Sequence, residues 1–299
     1  MRLILLVVWT VFIASCSAVT FDLPPVGDGR ATLPGKFVWH DLISDDPAGS
    51  EAFYGELFGW SFRSLPVGGG AYWVIEHNGA PIGGMVAQDR LPASRDVSQW
   101  VSAIAVDDAD EAVAQARRRG AEILREPVSL GRRGTIAVMA DPTGGLFAAL
   151  DTNGADPLDS DDLPPVGNFL WHELWSGAPD EAAEFYAGLT GLTVDTGDTR
   201  GHGDQIAQFH TLRDQGRARG GVRTKPDAAM PTLWMPYLRV GDPAALAAML
   251  ARVPALGGEV LVPAIARPIG GELAIIAGPS GAPIGLQTWS DAQPSMKEI

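Results

Sequence analysis

Short apolar runs separated by turn signals recur along this chain, and each cycle holds one stretch of helical spacing. Lys36 to Ile43 is a strand-type run. Asp46-Pro47 is a helix start with proline at the first helical position. Phe53, Leu57 and Phe58 then form an apolar face, and Gly59 ends it. Trp60 to Leu65, Ala71 to Glu76 and Pro81 to Ala87 read as three strands, with turns at Gly68-Gly-Gly70 and Asn78-Gly79. The pattern restarts with a strand at Gln99 to Val106. A helix at Ala109 to Arg119, closed by Gly120, and three more strands carry it to Leu150. The unit is therefore β-α-β-β-β.

The same order returns in the second half of the chain. Phe37-Val-Trp-His-Asp-Leu-Ile-Ser44 recurs as Phe169-Leu-Trp-His-Glu-Leu-Trp-Ser176, 132 residues later. Phe53-Tyr54 and Phe185-Tyr186 each stand thirteen residues beyond their histidine. Asp22-Leu-Pro-Pro-Val-Gly27 is repeated at Asp162 to Gly167. Asp141-Pro-Thr-Gly144 parallels Gly278-Pro-Ser-Gly281, and Pro179 and Pro243 open the later helices. A repeat in constant order is a tandem duplication. The expected fold class is α+β, with four βαβββ modules. The expected halves are residues 35–152 and 167–290, each compact on its own, with a linker rich in Asp and Pro over 153–166.

Composition narrows the function classes. Thirty-six acidic residues against 22 basic ones give a net charge of −14. Nucleic acid is therefore not an expected partner, because neutralising phosphates needs a basic surface. Met1-Arg2 is a short basic start, and Leu3 to Ala14 is apolar except for Thr10. That run is too short to span a bilayer and has the length of a signal core. Ile13-Ala-Ser-Cys16 follows, and Cys16 is the only cysteine. It resembles a bacterial lipobox, which implies a signal segment over residues 1–18, lipidation at Cys16 and export. The membrane, reached through an N-terminal lipid anchor, is then a partner, and the location is a bacterial membrane lipoprotein facing the periplasm. The plainer alternative is a secretory signal cut near Ala18.

The run from Asp46 through Phe53-Tyr54 to Leu57-Phe58-Gly59-Trp60, with Asp141-Pro-Thr-Gly144 before the last strand, resembles the vicinal oxygen chelate superfamily. That superfamily includes glyoxalase I, bleomycin-resistance proteins and extradiol dioxygenases. The resemblance covers about residues 35–152 and 167–290. It implies two tandem glyoxalase-like domains with curled, cup-shaped mixed sheets that bind small molecules.

It also implies where metal ligands would fall. Counting back from the Phe-Tyr pairs places the first-strand position at Trp39 and Trp171, not at His40 and His172. The second-module position falls at Val101 and Met235, and the last-strand glutamate position at Ala148 and Gly285. Ile82 to Val86 carries no acid, and Ala218 to Thr224 offers only Arg, Gly, Val and Thr. Alternation along a strand then turns Trp39, Asp41, Trp171 and Glu173 into the cups and both histidines toward the helices. A zinc or iron site needs three or four converging ligands, so no metal ligand and no cofactor is expected.

The ligand-binding residues expected in the cups are Trp39, Asp41, Trp171, Glu173 and Gln287: flat aromatic surface, a carboxylate anchor for an amine or hydroxyl, and an amide. The partner is a small apolar or aromatic molecule. Two other readings stand beside this one. A one-residue slip of register would bring His40 and His172 into the cups and make a divalent-metal lyase, isomerase or dioxygenase. The halves would otherwise be a periplasmic interaction module with relic cups. Among the remaining histidines, His210 reads as structural, His202 as a loop residue and His77 as facing water.

Overall fold

The computed structural model describes residues 22–67, 70–91, 96–197, 208–267 and 270–289. Cys16, Gly68, Gly69 and His202 lie outside them. Strand β1 (Phe37–Ser44) leads into α1 (Pro47–Phe58), then β2 (Ser61–Val67), β3 (Gly70–His77) and β4 (Ala80–Ala87). The second module is β5 (Gln99–Ala105), α2 (Ala109–Arg118), β6 (Glu122–Ser129), β7 (Thr135–Ala140) and β8 (Leu146–Asp151). The later half repeats this as β9 (Phe169–Ser176), α3 (Pro179–Thr190), β10 (Thr193–Thr196), β11 (Phe209–Asp214) and β12 (Arg217–Thr224). It ends with β13 (Leu233–Val240), α4 (Pro243–Arg252), β14 (Glu259–Ala266), β15 (Glu272–Ala277) and β16 (Pro283–Thr288). The expected α+β class and the four modules are what the chain adopts.

Local chemistry fixes the helix ends. The Asp46, Asp108 and Asp242 side chains accept from the backbone N–H groups of Gly49, Glu111 and Ala245 at 2.9, 2.8 and 2.8 Å. This satisfies donors that the first helical turn leaves free. Gly59 and Gly191 close α1 and α3 in the left-handed conformation, at φ 73° and 78°. Among the described residues no helix is long and apolar enough to cross a membrane.

Each half forms its own eight-stranded sheet, in the orders β2-β3-β4-β1-β5-β8-β7-β6 and β10-β11-β12-β9-β13-β16-β15-β14. The central strands β1 and β5 are antiparallel, as are β9 and β13, and each is flanked by a parallel neighbour. The sheets are open rather than closed barrels. Each curls away from its helices, leaving a concave face.

The two halves are not separately compact. One apolar core joins α2, β7 and β8 of the first half to α3 and β9 of the second, from Val113 and Phe147 to Phe185 and Leu189. Another joins α1 to α4, β15 and β16, from Phe53 and Leu57 to Leu246 and Ile276. The helix-bearing faces thus meet, and the two cups lie on opposite sides of the shared core. At the centre of this seam four rings meet: Phe37 stacks on His172 at 4.0 Å between centroids, His172 stacks on His40 at 4.7 Å, and His40 lies tilted by 40° against Phe169 at 3.9 Å. The segment expected to be a loose linker is also tied down. Asp156 accepts from Leu33 N and Thr152 Oγ1, while Asp159 pairs with Arg219 and Lys36.

Candidate functional site: two cups

Strand alternation places Trp39, Asp41 and Ile43 on the concave face of β1, and His40, Leu42 and Ser44 on the other. Trp39 packs with Val101, Ala103 and Ala148 inside the first cup, whereas Leu42 packs with α1. In β9, Trp171 and Trp175 line the second cup while Leu174 joins the shared core. Every residue assigned to a cup from the sequence therefore faces one, and both seam histidines face away.

What the cups contain goes beyond those five residues. In the first, Asp41 Oδ1 accepts from the Tyr72 hydroxyl at 2.6 Å and from Trp39 Nε1 at 3.1 Å. Arg133 Nη1 donates to the same hydroxyl at 2.7 Å, and its guanidinium lies 4.1 Å from the Trp39 ring centroid. Burial raises the Asp41 carboxyl above its ordinary value; Arg133 and the bonds from Tyr72 and Trp39 offset only part of that. Gly84 is needed beside them, because a Cβ there would lie 1.9 Å from the Tyr72 hydroxyl.

The first cup is also covered by its own chain. Leu23 and Val26, from the first Asp-Leu-Pro-Pro-Val-Gly copy, are buried against Trp39 and Tyr72. Leu23 N donates to Leu130 O at 2.9 Å, and Arg133 Nε donates to Pro24 O at 3.0 Å.

In the second cup Glu173 is fully buried. Arg267 Nη2 donates to its Oε1 at 2.8 Å, and the Tyr237 hydroxyl donates to Oε2 at 2.9 Å. Arg267 Nη1 reaches Gln287 Oε1 at 2.5 Å, linking two of the expected residues. Arg223 Nη1 stands 3.7 Å from Glu173 Oε2, and its guanidinium lies 5.7 Å from the Trp175 ring centroid. Burial pushes the Glu173 carboxyl up, but Arg267 and Arg223, with the bonds from Tyr237 and Arg267, more than cancel this. Its pKa ends below the ordinary value. Both carboxylate oxygens are engaged, so Glu173 is not the free anchor for an amine that the sequence suggested. The room left by Gly285 is taken by the Tyr237 ring, 2.2 Å from where a Cβ would stand.

Tyr72, Arg133, Tyr237, Arg267 and Arg223 were not found from the sequence. Arg133, buried, and Arg267, half-buried, each come from the turn between the second and third strands of their half's second module, and an arginine among glycines in that turn of both halves was the available signal. Trp234 lies in the shared core and donates its Nε1 to the Tyr186 hydroxyl at 2.8 Å. His210 is buried against Asp180 at 2.7 Å, a structural role. His77 does not simply face water: its Nδ1 meets Asn168 Oδ1 across the halves.

Among the described residues the donors in the cups do not form a set that suits a divalent cation. At the centre of the first cup Asp41 stands among Trp39, Gly84, Val101, Ala103 and Ala148. In the second, the one carboxylate is already held by a guanidinium. Among the described residues no group of three or more His, Cys, Asp or Glu converges, as a tight site requires.

A cavity of about 670 Å³ opens at the end of the second cup. Its wall includes Trp175, Leu233, Met235, Val262 and Ile275 of that cup, and it is completed by residues 96–99, Gly144 and Leu146 of the first half.

Residues 38–150 match the family described as glyoxalase-like domain. The chain is 30% identical over 250 residues to "Putative glyoxylase CFP32" of Mycobacterium tuberculosis, covering 82% of this chain and 91% of that protein. It is 27% identical over 280 residues to "Anthracycline biosynthesis protein DauV" of a Streptomyces species, covering 88% and 96%. Among solved structures it is similar in fold to the Mn(II)-bound glyoxalase from Novosphingobium aromaticivorans. That match has a TM-score of 0.58 at 15% identity and covers 89% and 84% of the two chains.

Proposed function

This chain belongs to the glyoxalase-like family, as a tandem member of the vicinal oxygen chelate superfamily, and from that premise we propose that it binds a small aromatic molecule without metal in its second cup. The observation that carries this reading is the cavity of about 670 Å³ beside Trp175 and Met235. Small-ligand sites commonly have volumes of about 300–1,000 Å³ and largely apolar walls. The first cup does not compete for the role, because Leu23 and Val26 already occupy it. A relative named for anthracycline biosynthesis supports a planar aromatic occupant. A metal-dependent lyase or dioxygenase would need a ligand set that neither cup offers among the described residues.

Calorimetry of the purified full chain against a panel of bicyclic aromatic compounds tests the reading, alongside metal analysis of the same preparation. Binding is expected without stoichiometric metal, and Met235→Trp is expected to abolish it by filling the cavity. Binding that appears only after a divalent metal is added would overturn the metal-free reading. No binding to any compound would favour an interaction module with relic cups.

The same proposal includes anchoring. An acyl chain on Cys16 would hold the protein at a membrane, and a second chain is needed for stable attachment. Cys16→Ser is expected to move the protein from the membrane fraction to the soluble one. Unchanged fractionation would remove the anchor from the reading.

A further inference from the structure

One buried donor of the cavity wall has nothing in the protein to bond. Trp175 is 4% exposed and lines the cavity, and its Nε1 has no hydrogen-bond partner among the described residues. A buried donor left unpaired costs stability, so its presence calls for an explanation. Packing alone does not supply one. The duplication puts Ile43 at the matching place in the first cup, where an aliphatic side chain packs on the cup wall and brings no polar atom. The indole N–H of the first cup is in a different state, because Trp39 Nε1 bonds both Asp41 and Tyr72. The unpaired donor thus stands in the cup that keeps a cavity.

The rest of the wall decides which acceptor fits. Beside Trp175 stand Leu233, Met235, Val262 and Ile275. The charged residue on the wall is Asp96, exposed at the rim, where its Oδ1 accepts from Ser98 N at 2.8 Å. Asp45, a second exposed carboxylate, accepts from the Ser98 hydroxyl at 3.4 Å. Among the described residues no cation lines the cavity. Lys225 donates its Nζ to the Met230 carbonyl at 2.6 Å, and Arg223 faces Glu173 at 3.7 Å; neither belongs to the wall. An anion entering here would pass a carboxylate and give up its water without gaining a positive partner.

We propose that the ligand of the second cup is a neutral aromatic carbonyl compound, its oxygen accepting from Trp175 Nε1 and its ring lying on the apolar wall. The inference rests on the small-molecule reading of this cup and adds the ligand's chemical class. An indole N–H donates and cannot accept, so it selects an acceptor atom. A carbonyl oxygen supplies one without the charge that the wall disfavours. A hydrocarbon of the same shape would leave the donor buried and unpaired, which is how a site built around a hydrogen bond rejects an apolar analogue.

The test compares 1-acetonaphthone, 1-ethylnaphthalene and 1-naphthoate by equilibrium dialysis against the full chain at neutral pH. Trp175→Phe keeps an aromatic ring and removes the N–H. It is expected to weaken the ketone about fivefold, the effect of one buried neutral hydrogen bond, and to leave the hydrocarbon within about twofold. In the parent, naphthoate is expected to bind at least about fivefold more weakly than the ketone. An unfolding midpoint shows that the variant folds. Infrared spectra give a readout independent of affinity: the carbonyl band of the bound ketone should lie lower in the parent than in Trp175→Phe. A ketone that loses no more affinity than the hydrocarbon, a carbonyl band unmoved by the substitution, or naphthoate binding as tightly as the ketone would each overturn the carbonyl inference and leave the small-molecule reading standing. Failure of all three compounds to bind would overturn both.

Discussion

The two cups assemble the same three groups and reach opposite electrostatic results. Each has a carboxylate at the same place on its first strand, a tyrosine bonded to it, and an arginine delivered by a turn. The tyrosines come from different strands, β3 for Tyr72 and β13 for Tyr237. In the first cup the arginine bonds the tyrosine and stacks on Trp39, so the carboxyl lacks a direct cation and burial raises its pKa. In the second the arginine bonds the carboxylate itself, with another cation nearby, and the pKa falls. Where the guanidinium is spent decides which way the acid's pKa moves. The duplicated fold preserved a composition, and a displacement of one arginine changed its chemistry. The cup whose acid is raised by burial is filled by its own chain, and the cup with two arginines near its acid keeps the cavity.

The sharpest way to break the contrast is Arg267→Ala. Removing one partner of a buried ion pair leaves an uncompensated charge and costs about 3–5 kcal/mol. Urea unfolding at neutral pH should record a loss of that size; a change below about 1 kcal/mol would mean that Glu173 is not held as described. The next effect concerns the covers. Leu23→Ala empties a filled site and should cost about 2–4 kcal/mol, in the range for buried leucine. Its repeat counterpart Leu163 is only partly buried on the second cup, so Leu163→Ala should cost clearly less. Equal losses would deny that the first cup is the sealed one.

A pair of near-isosteric substitutions that remove the charge isolates the acids. Glu173 has a lowered folded pKa, so its contribution is present above the unfolded value and is lost as pH falls through the folded one. Glu173→Gln should therefore destabilise by about 1.5–3 kcal/mol at pH 7, the range for a hydrogen bond to a charged group, and by less in acid. Asp41 has a raised folded pKa, so its contribution is present in acid and is lost as pH rises. Asp41→Asn should be close to neutral at pH 7, and a stability curve over pH 3 to 7 would show the two variants diverging upward.

The effect that is smallest at neutral pH separates both cups from the seam. Burial lowers His40 to about 3 and, together with His40's proximity, holds His172 well below the usual range. Both are neutral in the fold and protonate in the unfolded chain, so stability is complete above about pH 6.5 and falls below it. The slope is about 1.4 kcal/mol per pH unit for each histidine. His40→Phe should remove one such increment. A slope unchanged in that variant would assign the acid sensitivity to the cups instead.

Much of this architecture was legible because it is local. Proline after aspartate at 46–47 and glycine at 59 marked a helix, and the period of two on β1 and β9 placed Trp39, Asp41, Trp171 and Glu173 on one face and the histidines on the other. What the sequence did not disclose depends on distance along the chain. Arg133 reaches Tyr72 across 61 residues and Arg267 reaches Glu173 across 94, with no periodicity to announce either contact. The stacking of His40 on His172 needs both halves in place. Reading the halves as separate followed from the duplicated order, which says how a chain arose and not which faces it buries.

The shared core has a consequence in time. The ring of Phe53, on the first helix, lies against Gly258 and Gly278. A chain made at about 5–20 residues per second needs roughly 10–40 s to produce the partner after the helix has emerged. Throughout that interval the side of α1 that meets the second half has no permanent cover, although Leu42, Ile75 and Met85 of its own half already pack against the helix. The first half must wait, collapsed but incomplete, until nearly the last strand has been synthesised.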